Sequence, residues 1–177
     1  MKRELFIHIA FWFSFFVLIS LFKHLFSLSY WPFWLGGLAG VFMPDLDHLV
    51  YVFFIAPQEL TTQRVGFLWG KKEYRRLIEL LYETRSERHG LIFHTIFFQL
   101  IFFILTFWMM SSSASLFGRG LVLSFALHIS IDQLVDLTEI KSLNNWTKYL
   151  PFSLDLFKSK IFWLVGILLV LIMGFLM

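Results

Sequence analysis

The chain contains no cysteine. That absence excludes disulfide bridges and thiolate metal ligands together, so any metal must be held by imidazole nitrogen and carboxylate oxygen. Charge is also scarce: 15% of the 177 residues are Asp, Glu, Lys or Arg, against 58% hydrophobic residues. A water-soluble domain of this length cannot bury so much apolar surface, which leaves a polytopic membrane protein. Proline is rare, with 4 in the chain, so a proline inside an apolar run marks a break.

Aromatic residues are abundant instead. The 24 phenylalanines and 7 tryptophans cluster towards the ends of apolar runs, where rings settle at the headgroup level of a bilayer. Five runs approach the roughly 20 residues that a helical crossing needs. They are Leu5–Phe22, Phe33–Ala56, Leu91–Met110, Gly118–Leu137 and Ile161–Met177. The expected fold is all-α: one membrane-embedded helical domain over residues 1–177, with about five spans and one amphipathic helix. Met1-Lys2-Arg3 and the run that follows resemble a signal peptide without a small-residue cleavage site, and read as a retained first span. Pro44 predicts a kink in the second run, and Gly36 with Gly40 forms a small-xxx-small pair that lets a neighbouring helix approach closely.

The extended polar region is 57–90. Within it, Lys72 to Glu87 places Tyr74, Leu77, Ile78 and Leu81 at i, i+3, i+4 and i+7, the pattern of an amphipathic helix lying on a membrane surface or capping the bundle. With five spans, every lysine and arginine except Lys23 and Arg119 falls on the side of the amino terminus. The positive-inside rule then places the amino terminus and the 57–90 loop in the cytoplasm and the carboxyl terminus outside.

Against this background the acidic and imidazole groups inside the spans stand out. An aspartate near the middle of a membrane helix costs about 2.5–3.5 kcal/mol on insertion scales. Such a cost persists mainly where the groups pair, line a wet cavity or hold a cation. His128 and Asp132 are i, i+4 neighbours, and Asp45 and His48 are i, i+3 neighbours; both spacings let two side chains share one ion. Asp47 points away from Asp45 on a regular helix unless the distortion at Pro44 turns both inward. His8 and His94 interrupt the first and third runs about 5 Å from their cytoplasmic ends, at about 1.5 Å per residue. Four spans thus offer ligands at compatible depths. His89 and Asp136 are further candidates, and Arg85 and Arg88 stand where they could meet an anionic substrate. Imidazole with carboxylate suits zinc, manganese or iron(II).

The combination of an early histidine, Pro44-Asp45-Leu46-Asp47-His48, His89-x4-His94, His128-x3-Asp132 and Leu150-Pro151-Phe152-Ser153 resembles a known group. These are the membrane-bound metal-dependent hydrolases, prokaryotic inner-membrane proteins named for a LexA-regulated member. They are distantly related to zinc-dependent phospholipase C and the single-strand nucleases. The resemblance covers His8 to Ser153 and implies metal binding by His8, Asp45, Asp47, His94, His128 and Asp132, with His48 beside them. In the middle motif the chain departs from the family, with Gly90 in place of an arginine and Phe93 in place of a threonine. The implied activity is hydrolysis of a phosphoester or lipid-like substrate at the cytoplasmic side, with Asp45 and Asp47 as catalytic carboxylates. The implied partners are membrane lipid and a small-molecule or lipid substrate, not nucleic acid. Cation or proton translocation through the same cluster is the alternative, since intramembrane acids and histidines also mark ion pathways. Axial haem ligation by facing histidines is disfavoured by the aspartates beside them.

Overall fold

The computed structural model describes residues 2–84, 88 and 90–176. Arg85 and His89 lie outside the described residues. Among those described, regular structure is entirely helical. The long helices are α1 (Lys2–Lys23), α6 (Ile96–Ser112), α7 (Leu116–Glu139) and α8 (Leu156–Phe175). Between α1 and α6 come α2 (Trp31–Phe42), α3 (Leu46–Val50, widening into a further turn over Tyr51–Ile55), α4 (Leu60–Gly70) and α5 (Tyr74–Glu83).

Length and apolarity suit α1, α7 and α8 to crossing a membrane. The α2–α3 pair, bent by 41° where Pro44 interrupts it, makes a fourth crossing if counted as one span. Helix α6 is apolar but has only 17 residues, about 26 Å at 1.5 Å per residue against a hydrocarbon core of about 30 Å. Its first turn starts later than the apolar run does, because residues 91–95 form a turn that serves the site described below. Thr95 closes that turn by accepting the Phe98 N–H at its side-chain oxygen, as an N-cap does.

Helix α7 is the hub. Of its spanning window 83% is buried inside the protein, against 33% for α1 and 22% for α8, whose outer faces are left for lipid. Its closest partner is α2, and glycine is the reason. A Cβ on Gly36 would sit 2.1 Å from the Phe117 carbonyl oxygen, one on Gly40 2.3 Å from that of Leu121, and one on Gly120 2.1 Å from that of Phe33. The two backbones therefore touch, as the Gly36-xxx-Gly40 spacing predicts. Phe16 stacks on Phe33 at 4.6 Å, closing the α1 side of the same seam.

Polar bonds fasten the remaining helices to the hub. Gln99 of α6 and Gln133 of α7, both fully buried, exchange amide bonds of 3.3 and 2.7 Å. Trp163 of α8 donates its indole N–H to the Ser130 carbonyl at 2.9 Å. Asp155 caps α8 by accepting the Lys158 backbone N–H at 2.8 Å. That bond holds its carboxyl below the usual aspartate range. For the glutamine pair, Gln133→Leu alone strands the Gln99 amide in an apolar setting and is expected to cost about 1–3 kcal/mol. Adding Gln99→Leu should recover most of that loss. Thermal unfolding of the two single variants and the double variant in one detergent measures the coupling.

The polar region 57–90 folds as two helices rather than one. α4 and α5 lie together over the end of α3, around a small core of Tyr51, Val52, Val65 and Leu77. Leu77, Leu80 and Leu81 face that core, whereas Tyr74 and Ile78 of the expected stripe are half-exposed. The stripe is thus rotated, because α4 supplies a packing partner that the periodicity of α5 does not disclose.

Candidate metal centre

Asp132 is the focus of the polar groups. It is fully buried on α7, and one turn earlier on the same face His128 brings Nε2 to 3.2 Å from its Oδ2. From α1, His8 Nε2 lies 3.2 Å from Asp132 Oδ1. From the turn before α6, His94 Nε2 lies 3.0 Å from Asp132 Oδ2. The His8 and His128 rings stack at 4.0 Å. All three histidines are more than nine-tenths buried.

The outer nitrogens of two of these rings define what the inner ones present. His8 Nδ1 is 2.9 Å from the Glu4 carbonyl oxygen, which can only accept, so the proton of the neutral ring sits on Nδ1. His94 Nδ1 is 3.1 Å from Asp47 Oδ2, and an ionised carboxylate likewise only accepts. When both rings are neutral, the inward Nε2 carries a lone pair and faces a carboxylate oxygen. Two acceptors at 3.0–3.2 Å repel unless a positive charge, either a proton or a metal ion, lies between them. Nor do the inner nitrogens of His8 and His128 make a well-directed hydrogen bond to Asp132, despite their proximity. A shared cation relieves all of these contacts at once. The spacing suits one: ligand atoms about 2.0–2.1 Å from a zinc ion lie about 3.0–3.4 Å apart at ordinary coordination angles.

His8, His128 and Asp132 could hold a metal ion, their ligating atoms all lying within 4.8 Å of one another. His94 joins them through Asp132. Asp45 stands at the break between α2 and α3, its side chain about half exposed, with Oδ1 3.8 Å from His128 Nε2. Asp47 takes a different place. Its carboxylate is fully buried and accepts the backbone N–H groups of Ile92 at 3.1 Å and Phe93 at 2.6 Å as well as the His94 ring. These bonds fix the turn that delivers His94 and hold its outer nitrogen protonated, the usual second partner of a metal-binding imidazole.

His48 and Arg88 form a further layer. Arg88 donates from Nε to His48 Nδ1 at 3.0 Å, from Nη1 to Thr84 Oγ1 at 3.0 Å, and from Nη2 to the Leu81 carbonyl. A guanidinium is a permanent donor, so His48 Nδ1 accepts and the ring proton sits on Nε2. Neither nitrogen of that neutral tautomer is then open to a metal. The His48 ring lies 5.5 Å from that of His94 and supports it. Arg88 is itself buried, with donors from each of its nitrogens spent within the protein. Asp136 accepts the Trp146 indole N–H at 2.7 Å, and the Trp146 ring packs 5.2 Å from His94. It therefore stands apart from the convergent set and braces its wall.

A chamber of about 250 Å³ opens beside His94. Glu4, Glu83, Asp136 and Glu139 supply carboxylates to its walls, with Arg88, Asn145 and Trp146. Trp146, Glu4 and Asn145 carried no signal in the sequence: nothing about an Asn-Asn-Trp loop shows that its indole will pack against His94, 52 positions earlier. No family model, curated protein or solved structure matches the chain.

Proposed function

We propose that this protein is an integral-membrane, metal-dependent hydrolase acting on a phosphoester, with its site at the cytoplasmic side of a prokaryotic inner membrane. The observation that carries the reading is the convergence on a buried carboxylate: His8, His94 and His128 each bring Nε2 to within 3.0–3.2 Å of Asp132. In this reading His8, His94, His128 and Asp132 hold the ion. Zinc suits three imidazoles and one carboxylate without thiolate; manganese and iron(II) are the substitutes. Helix α6 is taken as a fifth crossing of a locally thinned bilayer, with the amino terminus inside.

A divalent cation, when bound, lowers the pKa of water towards 7 and polarises a phosphoryl oxygen, the chemistry of metal-assisted hydrolysis. The chain's own residues supply the rest. Asp45, half-exposed beside His128, is placed to take a proton from the attacking water. Asp47 holds His94 in orientation. The chamber beside His94 gives the site an opening, and the exposed apolar faces of the helices let a lipid approach sideways.

Elemental analysis of the purified protein, followed by a panel of phosphodiesters and phosphomonoesters with the metal found, tests this reading. The expected result is bound divalent metal and turnover of at least one phosphoester. Asp45→Asn should keep the metal while kcat falls by about a hundredfold, the usual weight of a general base. Wild-type protein and a His128→Ala variant that are equally metal-free under metal-replete conditions would defeat it.

A further inference from the structure

His128 differs from the other two convergent histidines in what its outer nitrogen meets. His8 and His94 give theirs to the Glu4 carbonyl and to Asp47. His128 Nδ1 has no hydrogen-bond partner although it is fully buried. Its ring lines a small closed space between α1, α2 and α7, together with Trp12, Val41 and Ser124. Two more atoms from that lining, Trp12 Nε1 and Ser124 Oγ, are equally buried and equally without a partner. Ser124 and His128 are 1% and 3% exposed, so bulk water does not reach them. The glycine seam creates this setting. A Cβ on Gly37 would lie 2.7 Å from Trp12 Nε1, and one on Gly40 2.9 Å from Ser124 Cβ.

The inventory of side-chain donors and acceptors narrows the choice. An indole N–H can only donate. The space is too narrow for a water molecule. Val41, Leu127 and Ile131 offer no polar side-chain atom, and the His8 nitrogens face Glu4 and Asp132. Among the described side chains of the lining, Ser124 Oγ is the acceptor that remains. A hydroxyl oxygen has two lone pairs, enough to accept from Trp12 Nε1 and His128 Nδ1 together through side-chain torsion changes. Its own proton can turn back to the carbonyl one turn earlier, as Ser130 does with Ala126 at 3.0 Å.

We propose that Ser124 is a positioning residue: it accepts the Nδ1–H of His128 and so holds the tautomer whose Nε2 lone pair points at Asp132. This rests on the metal-centre reading above and completes it, giving each convergent imidazole an outer acceptor: a carbonyl, a carboxylate and a hydroxyl. With the proton on Nε2 instead, His128 would donate to Asp132 and could not bind an ion.

The test compares wild type with Ser124→Ala, using Ser130→Ala as the control for losing a buried hydroxyl from the same helix. Zinc affinity by competition with a chelating dye should fall about tenfold or more in Ser124→Ala, the effect of losing an outer partner of a metal-bound histidine. It should change less than about threefold in Ser130→Ala, whose hydroxyl serves only its own helix. Nitrogen-15 spectra of histidine-labelled protein, with His128 assigned by its loss in His128→Gln, should show the Nδ1–H form in wild type and its depletion in Ser124→Ala. Equal zinc affinity in wild type and Ser124→Ala overturns the proposal, as does a wild-type His128 protonated on Nε2. The tautomer is read with or without zinc. A wild type that binds no zinc therefore defeats the metal-centre reading, while the spectra still decide the role of Ser124.

Discussion

Asp132→Ala is expected to leave the purified protein without bound metal and to weaken zinc affinity by roughly a thousandfold, about a quarter of the 10–16 kcal/mol that a full ligand set provides. The reason is geometric. Three imidazole nitrogens from three segments approach this one carboxylate within 3.0–3.2 Å, so its removal takes away both a ligand and the counter-charge that orders the others. The variant should nonetheless reach the membrane in normal amount. Removing an aspartate from within a span lowers the cost of insertion, and alanine favours the helix. Metal-to-protein stoichiometry by mass spectrometry, set beside membrane yield, reads both effects. Normal stoichiometry in Asp132→Ala would remove Asp132 from the ligand set.

The second large effect lies away from the polar groups. Gly120→Leu is expected to destabilise the protein by about 3 kcal/mol or more and to lower turnover as well. The first atom of any side chain at this position would meet the Phe33 carbonyl oxygen at 2.1 Å, and backbone cannot move aside without parting α2 from α7. That separation also carries Asp45 away from His128, since they sit on the two sides of the seam. Gly166→Ala provides the contrast. Its nearest neighbour would be the Gln99 side chain at 3.6 Å, an ordinary contact, and its thermal unfolding should stay close to wild type. Equal unfolding temperatures for the two variants would show that close backbone approach does not hold the bundle.

The parts of this arrangement that the sequence discloses are the local ones. His128 and Asp132 share a face because one helical turn separates them, and their spacing alone predicts the contact. Gly36 and Gly40 announce a close neighbour in the same way. The positions of Asp45 and Asp47 were undetermined, because the path of the chain past Pro44 decides where each points. In the structure they part, Asp45 towards His128 and Asp47 beneath residues 92–94. The late start of α6 has the same origin. The Ile92 and Phe93 amides serve a carboxylate 45 and 46 residues away, and no local pattern contains that information. Helix α4 escaped notice because the apolar residues of Leu60–Gly70 are interrupted by threonine, glutamine, arginine and glycine. Its inward residues are defined by α5 and the end of α3. The fixing of His48 by Arg88 spans 40 positions and was equally invisible.

The turn held by Asp47 also bears on how the protein is made. Apart from His128 and Asp132, every pair among His8, His94, His128 and Asp132 is separated by more than 30 positions along the chain. The ribosome therefore delivers Asp47 to the membrane long before the amides and imidazole that neutralise it, and Asp132 emerges last. Until residues 92–94 arrive, the bent α2–α3 segment carries in Asp47 an acidic group that hydrocarbon rejects. Biogenesis must accordingly keep this segment near water or within the insertion machinery, and the turn before α6 acts as the latch that lets it settle.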